Sequence, residues 1–154
     1  MRRVYAYAAY RVGGGPDAED VTSEVFERAF RYRSSYRPEQ GAPITWLIGI
    51  ARRVVDDRRL PAVAQQVGDE ADGFDMEAVV IDRLTVLDAL AMLSDRDREL
   101  VAMRYGSDLQ SDEIGVVLGC TRNAADVALH RALKRLRRAL EVSGWQMSGV
   151  GQRG

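Results

Sequence analysis

Apolar residues recur along this chain at helical spacing, three and four apart, and nowhere alternate over a convincing strand length. In residues 2–12, Val4 pairs with Ala8, and Tyr5, Ala9 and Val12 continue the pattern, which predicts a first helix. Gly13-Gly14-Gly15-Pro16 ends it, and Asp17 is placed to cap the next. That helix is expected from Ala18 to about Tyr32. Glu19 and Asp20 suit its first turn, where a helix carries partial positive charge, and Val21, Val25, Phe26, Ala29 and Phe30 form its stripe. Ser34 to Ala42, with Pro38 and Gly41, reads as a loop. Thr45 is expected to cap a third helix from Trp46 to about Leu60, with Trp46, Leu47, Ile50, Ala51 and Val54 on one face.

Pro61 breaks that helix. Residues 61–75 hold Gly68, Gly73, acids and amides with few large apolar side chains, the composition of a flexible linker. Helical spacing resumes near Met76 and runs to about Leu93. Ser94, with Asp97 three positions on, starts a further helix that ends at Tyr105-Gly106. Ser111 is expected to cap a short helix to Leu118. Gly119-Cys120-Thr121 turns the chain, and a long helix follows from Arg122 to about Glu141 on Leu129, Leu133, Leu136 and Leu140. The pattern predicts an all-α protein with two small helical domains, residues 1–60 and 76–142. An acidic linker (61–75) joins them, and a disordered tail (143–154) follows.

Charge sharpens this division. The 154 residues carry a formal charge of −1, an average over unlike parts. Residues 1–60 have 11 basic and 8 acidic side chains, residues 61–95 have 1 and 8, and residues 96–154 have 10 and 7. Two basic halves flank an acidic middle, and a phosphate backbone responds to the local charge. The single Cys120 rules out an internal disulfide, and one cysteine with one histidine leaves no ligand set for a structural zinc. Cys120 itself reads as a core residue.

The longest apolar run, Ile44 to Ala51, is interrupted by Thr45 and Gly49, so no membrane insertion is expected. Met1-Arg2-Arg3 faintly resembles a secretory leader, but three tyrosines and Arg11 interrupt the apolar stretch, and a cytoplasmic helix is the reading. There is no nucleophile elbow, phosphate-binding loop or metal-ligand cluster. Asp56 and Asp57 are adjacent, about 100° apart on a helix, and do not converge. No catalytic residue, metal or cofactor is expected; the chain reads as a binder rather than an enzyme.

Residues 111–130 have the pattern of a helix-turn-helix. Gly115 stands where the two helices must approach, and Gly119 suits a left-handed turn. Ile114, Leu118, Cys120, Ala125 and Leu129 fill the angle. Thr121 is placed to cap the second helix and to offer its hydroxyl to a phosphate. Arg122, Asn123, Asp126, Val127 and His130 then face outward, where base edges would lie. Arg131, Lys134, Arg135, Arg137 and Arg138 continue as backbone contacts or as solvated charge. His130 reads as a surface residue, not a catalyst.

The first half pairs aromatic and basic residues: Tyr36, Arg37, Trp46, Arg52, Arg53, Arg58 and Arg59. Bases stack on rings while arginines follow phosphates, so this set suits single-stranded nucleic acid, although much of Trp46 at its spacing also reads as core.

Both halves together resemble bacterial extracytoplasmic-function (ECF) sigma factors of the sigma-70 family. DAEDVTSEVFERAFR is similar to region 2.2 and TWLIGIARRVVDDRR to regions 2.3 and 2.4, while the stretch from LSDRDREL to RLRRAL is similar to region 4. The resemblance covers about residues 4–141. It implies core RNA polymerase (its clamp helices and flap) and promoter DNA as partners. Asp20, Glu24, Phe26 and Arg28 become candidate polymerase contacts or supports. Tyr36, Arg37, Thr45, Trp46, Arg52, Arg53, Arg58 and Arg59 become the set that opens and holds the −10 element. Thr121, Arg122, Asn123, Asp126, Val127, His130, Arg131, Lys134 and Arg135 become the −35 set.

The resemblance further implies a protein that is monomeric when free, and an anti-sigma factor as a candidate partner. The sequence departs from the family pattern at Ser23, where glutamine is usual; at Arg53, where asparagine is usual; and at Asp126 and Ala128, where a basic pair is usual. Its first helix also begins later than is usual for region 2. A sigma-like regulator that does not itself support initiation is the alternative these departures suggest.

Overall fold

The computed structural model describes residues 1–58 and 83–142. The expected linker, the expected helix start at Met76, Arg59 and the expected disordered tail lie outside the described residues. Among the described residues there is no strand. The elements are α1 (Arg2–Val12), α2 (Pro16–Arg31), α3 (Pro43–Arg58), α4 (Arg83–Met92), α5 (Asp95–Val101), a π-turn (Ala102–Gly106), α6 (Ser111–Leu118) and α7 (Arg122–Val142). Two short 3-10 turns, Arg33–Ser35 and Pro38–Gln40, lie between α2 and α3.

Three helix starts differ from expectation, for two physical reasons. α2 begins at Pro16 after Gly15, and Asp17 does not cap it. α3 begins at Pro43, so Thr45 falls inside the first turn. In both, proline supplies a preset φ and lacks the N–H that a cap would satisfy. α6 begins at Ser111 itself; Gln110 precedes it, and the Glu113 carboxylate accepts the Gln110 N–H at 3.0 Å. The Ser94 cap is present and accepts from the Asp97 N–H at 3.2 Å.

The faces also shift. On α2 the buried line is Ala18, Val21, Val25 and Ala29, while Phe30, expected in the stripe, is 71% exposed. It lies one step, about 100°, beyond Ala29. On α3 the buried line runs through Ile48, Ala51, Val54 and Val55, with Trp46, Leu47 and Ile50 half-buried beside it. Burial of Val21, Val25, Ile48 and Val54 contributes about 1.5–3 kcal/mol each. Two ion pairs also join α2 to α3, Arg28 with Asp57 at 2.9 Å and Arg58 with Glu24 at 2.6 Å, but pairs this open to solvent add at most about 1 kcal/mol each, so apolar contact contributes more.

The central element is α1. It packs on α2 and α3 with one side and on α5 and the π-turn with the other, while α3 also meets α6. Tyr7 is fully buried there. A Cβ on Gly106 would stand 3.1 Å from the Ala6 carbonyl and the Tyr7 nitrogen, so the π-turn lies close against the α1 backbone. In the second half, α7 receives α4, α5 and α6. Arg98, 3% exposed, donates to the carbonyls of Leu90 and Leu93 at 3.0 Å each and of Ala91 at 3.4 Å, closing the end of α4. Burial lowers its pKa from the ordinary arginine value.

Candidate nucleic-acid interface

The turn between α6 and α7 is built as the sequence anticipates. Gly119 ends α6 in the left-handed region at φ 70°, and the Cys120 N–H returns to the Gly115 carbonyl at 2.9 Å. Ile114, Ala125 and Leu129 are buried in the angle, and Leu118 and Cys120 are half-buried. The Thr121 hydroxyl accepts the Ala124 N–H at 3.1 Å, which starts α7.

Thr121, Arg122, Asn123, Asp126, Arg131 and Arg135 are exposed, Val127 is 43% exposed, and His130 and Lys134 stand on the same side of α7. Two of the set are already engaged. Asp126 accepts from the Ser111 hydroxyl at 2.8 Å, tying α6 to α7. Arg135 donates through one nitrogen to both carboxylate oxygens of Asp97, at 2.9 and 3.0 Å. Asp97 is 5% exposed, so this pair anchors α7 to α5.

The −10 set separates into three places. Arg37, Thr45, Trp46 and Arg53 line one groove with Gly41, Gly49 and Ile50, and its far wall is Val116 and Val117 of α6. Tyr36 joins them by stacking on Trp46, with ring centroids 5.4 Å apart and 20° between planes, and its hydroxyl donates to the Gly41 carbonyl at 2.9 Å. The pair is held as a flat platform before any ligand arrives. Thr45 is buried, and its hydroxyl donates to Glu113 at 3.4 Å. Arg52 points elsewhere, toward Glu99 of α5. Arg58 joins the α2 edge.

That edge gathers the candidate polymerase residues. Glu24 accepts from Arg28 at 2.6 Å and from Arg58 at 2.6 and 2.9 Å, and Arg28 also donates to Asp57 at 2.9 Å. Asp20 stands exposed beside them, while Phe26 is half-buried against the core and acts as a support. The reading of the sequence missed Phe30, whose exposed ring lies 4.3 Å below the Arg33 guanidinium, and Tyr32, which is 53% exposed. Helical periodicity alone assigns Phe30 inward; only its place at the α2 terminus argues otherwise.

Partial burial works against the Glu24 charge, but hydrogen bonds from Arg58 and Arg28 outweigh it and hold the carboxyl below its usual 4.5. A folded pKa below the unfolded one adds stability above the unfolded value. That stability disappears as pH falls through the folded value. Glu24→Gln is expected to cost about 0.5–1 kcal/mol at pH 7. The difference from the native chain should shrink toward nothing as pH falls below the folded value. Urea unfolding of both proteins from neutral to acidic pH measures it, and a constant difference would contradict the assignment.

Among the described residues no helix is long and apolar enough to cross a membrane, and no group of three or more His, Cys, Asp or Glu residues is placed to hold a metal ion.

Comparison with known proteins adds three findings. The family model for Sigma-70 region 2 matches residues 1–60, and that for Sigma-70, region 4 matches residues 83–136. ECF RNA polymerase sigma factor SigD of Mycobacterium tuberculosis is 32% identical over 156 residues, covering 92% of this chain and 73% of its own length. ECF RNA polymerase sigma factor BldN of Streptomyces coelicolor is 32% identical over 147 residues, covering 89% of this chain; the chain spans 56% of BldN. Sigma factor RpoE of Bartonella quintana, solved in complex with the anti-sigma factor NepR, shares the fold with a TM-score of 0.65 at 20% identity, over 91% of this chain and 89% of that one.

Proposed function

Because the chain belongs to the ECF RNA polymerase sigma factors, we propose that it directs core RNA polymerase to promoters with its labour divided between two units, residues 1–60 and 76–142. The second unit reads the −35 element. In this reading α7 lies in the major groove with Arg122, Asn123, Val127 and His130 toward base edges. Thr121, Arg131 and Lys134 meet phosphates. Asp126 and Arg135 serve mainly as braces, since Ser111 and Asp97 already engage them.

The first unit takes the −10 element. Flipped non-template bases stack on the Tyr36–Trp46 platform while Arg37 and Arg53 follow the strand. Unstacking costs a few kcal/mol per step, and stacking on an aromatic ring returns about 1–3 kcal/mol per base. The observation that carries this reading is the groove itself: a stacked aromatic pair flanked by arginines, in the same chain as an exposed helix-turn-helix face.

The α2 edge around Asp20, Glu24 and Arg28 is the proposed polymerase contact. The protein would then act in the cytoplasm, where polymerase and promoter meet, with an anti-sigma factor as a further partner by family membership.

Binding isotherms on matched and scrambled −35 duplexes, with core polymerase present, test the division. Lys134→Ala is expected to weaken binding about equally on all sequences and to flatten the salt dependence by roughly one counterion. Arg122→Ala is expected to cost about 1–3 kcal/mol on the matched site alone. An unchanged preference in Arg122→Ala would remove that residue from base reading.

A further inference from the structure

Between Arg122 and Leu140, α7 holds six arginine or lysine side chains and a single acid, Asp126. Asp126 is exposed, and it stands one helical turn from both Arg122 and His130, so the three share a stripe. A carboxylate on that stripe repels the phosphates that its neighbours attract. It is favourable there where the surface it meets offers a hydrogen-bond donor.

The brace to α6 engages half of this group. The Ser111 hydroxyl donates to Asp126 Oδ1 at 2.8 Å. Among the described residues Asp126 enters no ion pair, although Arg122 lies four positions before it, and its Oδ2 accepts no hydrogen bond. Ser111 therefore fixes the carboxylate against the first helix of the motif and leaves one oxygen as a pre-oriented acceptor. Such an acceptor discriminates between bases in the major groove. Guanine presents two acceptors there, thymine an acceptor and a methyl group, adenine a donor beside an acceptor, and cytosine a donor alone. The Oδ2 charge is repelled by the first two and meets the adenine amino group next to N7. Cytosine N4 is the one base edge it meets without repulsion.

We propose that Asp126 determines specificity by selecting a cytosine in the −35 element through Oδ2, and that Ser111 is the positioning residue that aims it. The proposal rests on the −35 reading given above. The basic pair usual in the family at Asp126 and Ala128 presents donors, whereas a carboxylate presents an acceptor. The −35 preference of this chain then departs from that of its relatives at the base that Asp126 meets.

The test uses holoenzyme assembled from the full chain and core polymerase, on promoter fragments with a randomised −35 element, and sequences the bound fraction. The native chain is expected to enrich cytosine about tenfold at one position. Asp126→Asn keeps the side-chain shape and can still accept from Ser111 through its carbonyl oxygen, which turns its amide nitrogen to the base. Enrichment at that position is expected to pass from cytosine to guanine or thymine, which present acceptors. The position that depends on Arg122 keeps its preference. Ser111→Ala is expected to lower the cytosine enrichment to about threefold, and Ser111→Thr to restore it. A serine that merely ties α6 to α7 would instead weaken binding to every sequence alike, and that result overturns its positioning role.

A further arm needs no variant. Native holoenzyme is expected to bind about tenfold more weakly when that cytosine is replaced by pyrimidin-2-one, which lacks the amino group. Equal binding overturns the proposal even if Asp126→Asn fails to fold. Enrichment at other positions, with none that changes in Asp126→Asn, overturns it too and leaves −35 reading in place. No enrichment at any position, by the native chain or any variant, overturns both.

Discussion

Replacing Trp46 with alanine is expected to reduce promoter opening at least about tenfold while leaving −35 binding intact. The indole is one face of the platform on which Tyr36 lies, 5.4 Å away and nearly parallel. A base gains about 1–3 kcal/mol by stacking on such a ring, and each factor of ten corresponds to about 1.4 kcal/mol. Loss of the indole also removes the ring that holds Tyr36 flat, leaving its hydroxyl bond to Gly41, so pre-organisation falls with contact area. Trp46→Phe should recover most of the activity, because phenylalanine keeps a stacking face. Permanganate footprinting of open complexes measures the effect. Equal footprints from native and alanine proteins would remove Trp46 from base capture.

The second large effect concerns two helical glycines with opposite expected signs. A Cβ on Gly115 would stand 2.7 Å from the Cys120 carbonyl oxygen and 3.3 Å from the Thr121 carbonyl carbon, both backbone. Neither can swing aside as a side-chain tip would. Gly115→Ala must push α6 away from the turn, at a cost of about 1–3 kcal/mol, and must tilt the start of α7 on which Arg122 and Asn123 stand. Gly49 lies in the α3 interior, and a Cβ there would meet nothing within 4 Å. Gly49→Ala should stabilise by about 0.4–1 kcal/mol through the unfolded chain. Thermal unfolding of both variants, with −35 duplex binding for Gly115→Ala, checks the pair. A stabilised Gly115→Ala would contradict the close approach.

The helix-turn-helix was readable because its demands are local. Gly115, Gly119, Thr121 and the buried Ile114, Ala125 and Leu129 fall within about one and a half dozen positions of each other, and each position has a steric reason of its own. The Tyr36–Trp46 pair was readable as chemistry, though its stacking was not, since the intervening turns decide it. The cluster around Glu99 was not legible. Arg11, Arg52 and Glu99 lie on three helices far apart in sequence, and each taken alone reads as a solvated helix charge. Asp126 and Arg135 illustrate the same limit: their partners, Ser111 and Asp97, sit 15 and 38 residues away. Thr45 and Ser111 have the chemistry of caps, but Pro43 and Gln110 set the helix starts, which freed both hydroxyls for bonds between elements.

Membership of the sigma family implies that this chain confers promoter selectivity on RNA polymerase. The most direct measurement is a pull-down and run-off assay with core polymerase on a randomised promoter pool. Stable binding to core enzyme is expected, with transcripts from a subset of templates sharing both a −35 and a −10 sequence. Binding without any selected transcript, or no binding to core enzyme at all, would contradict it.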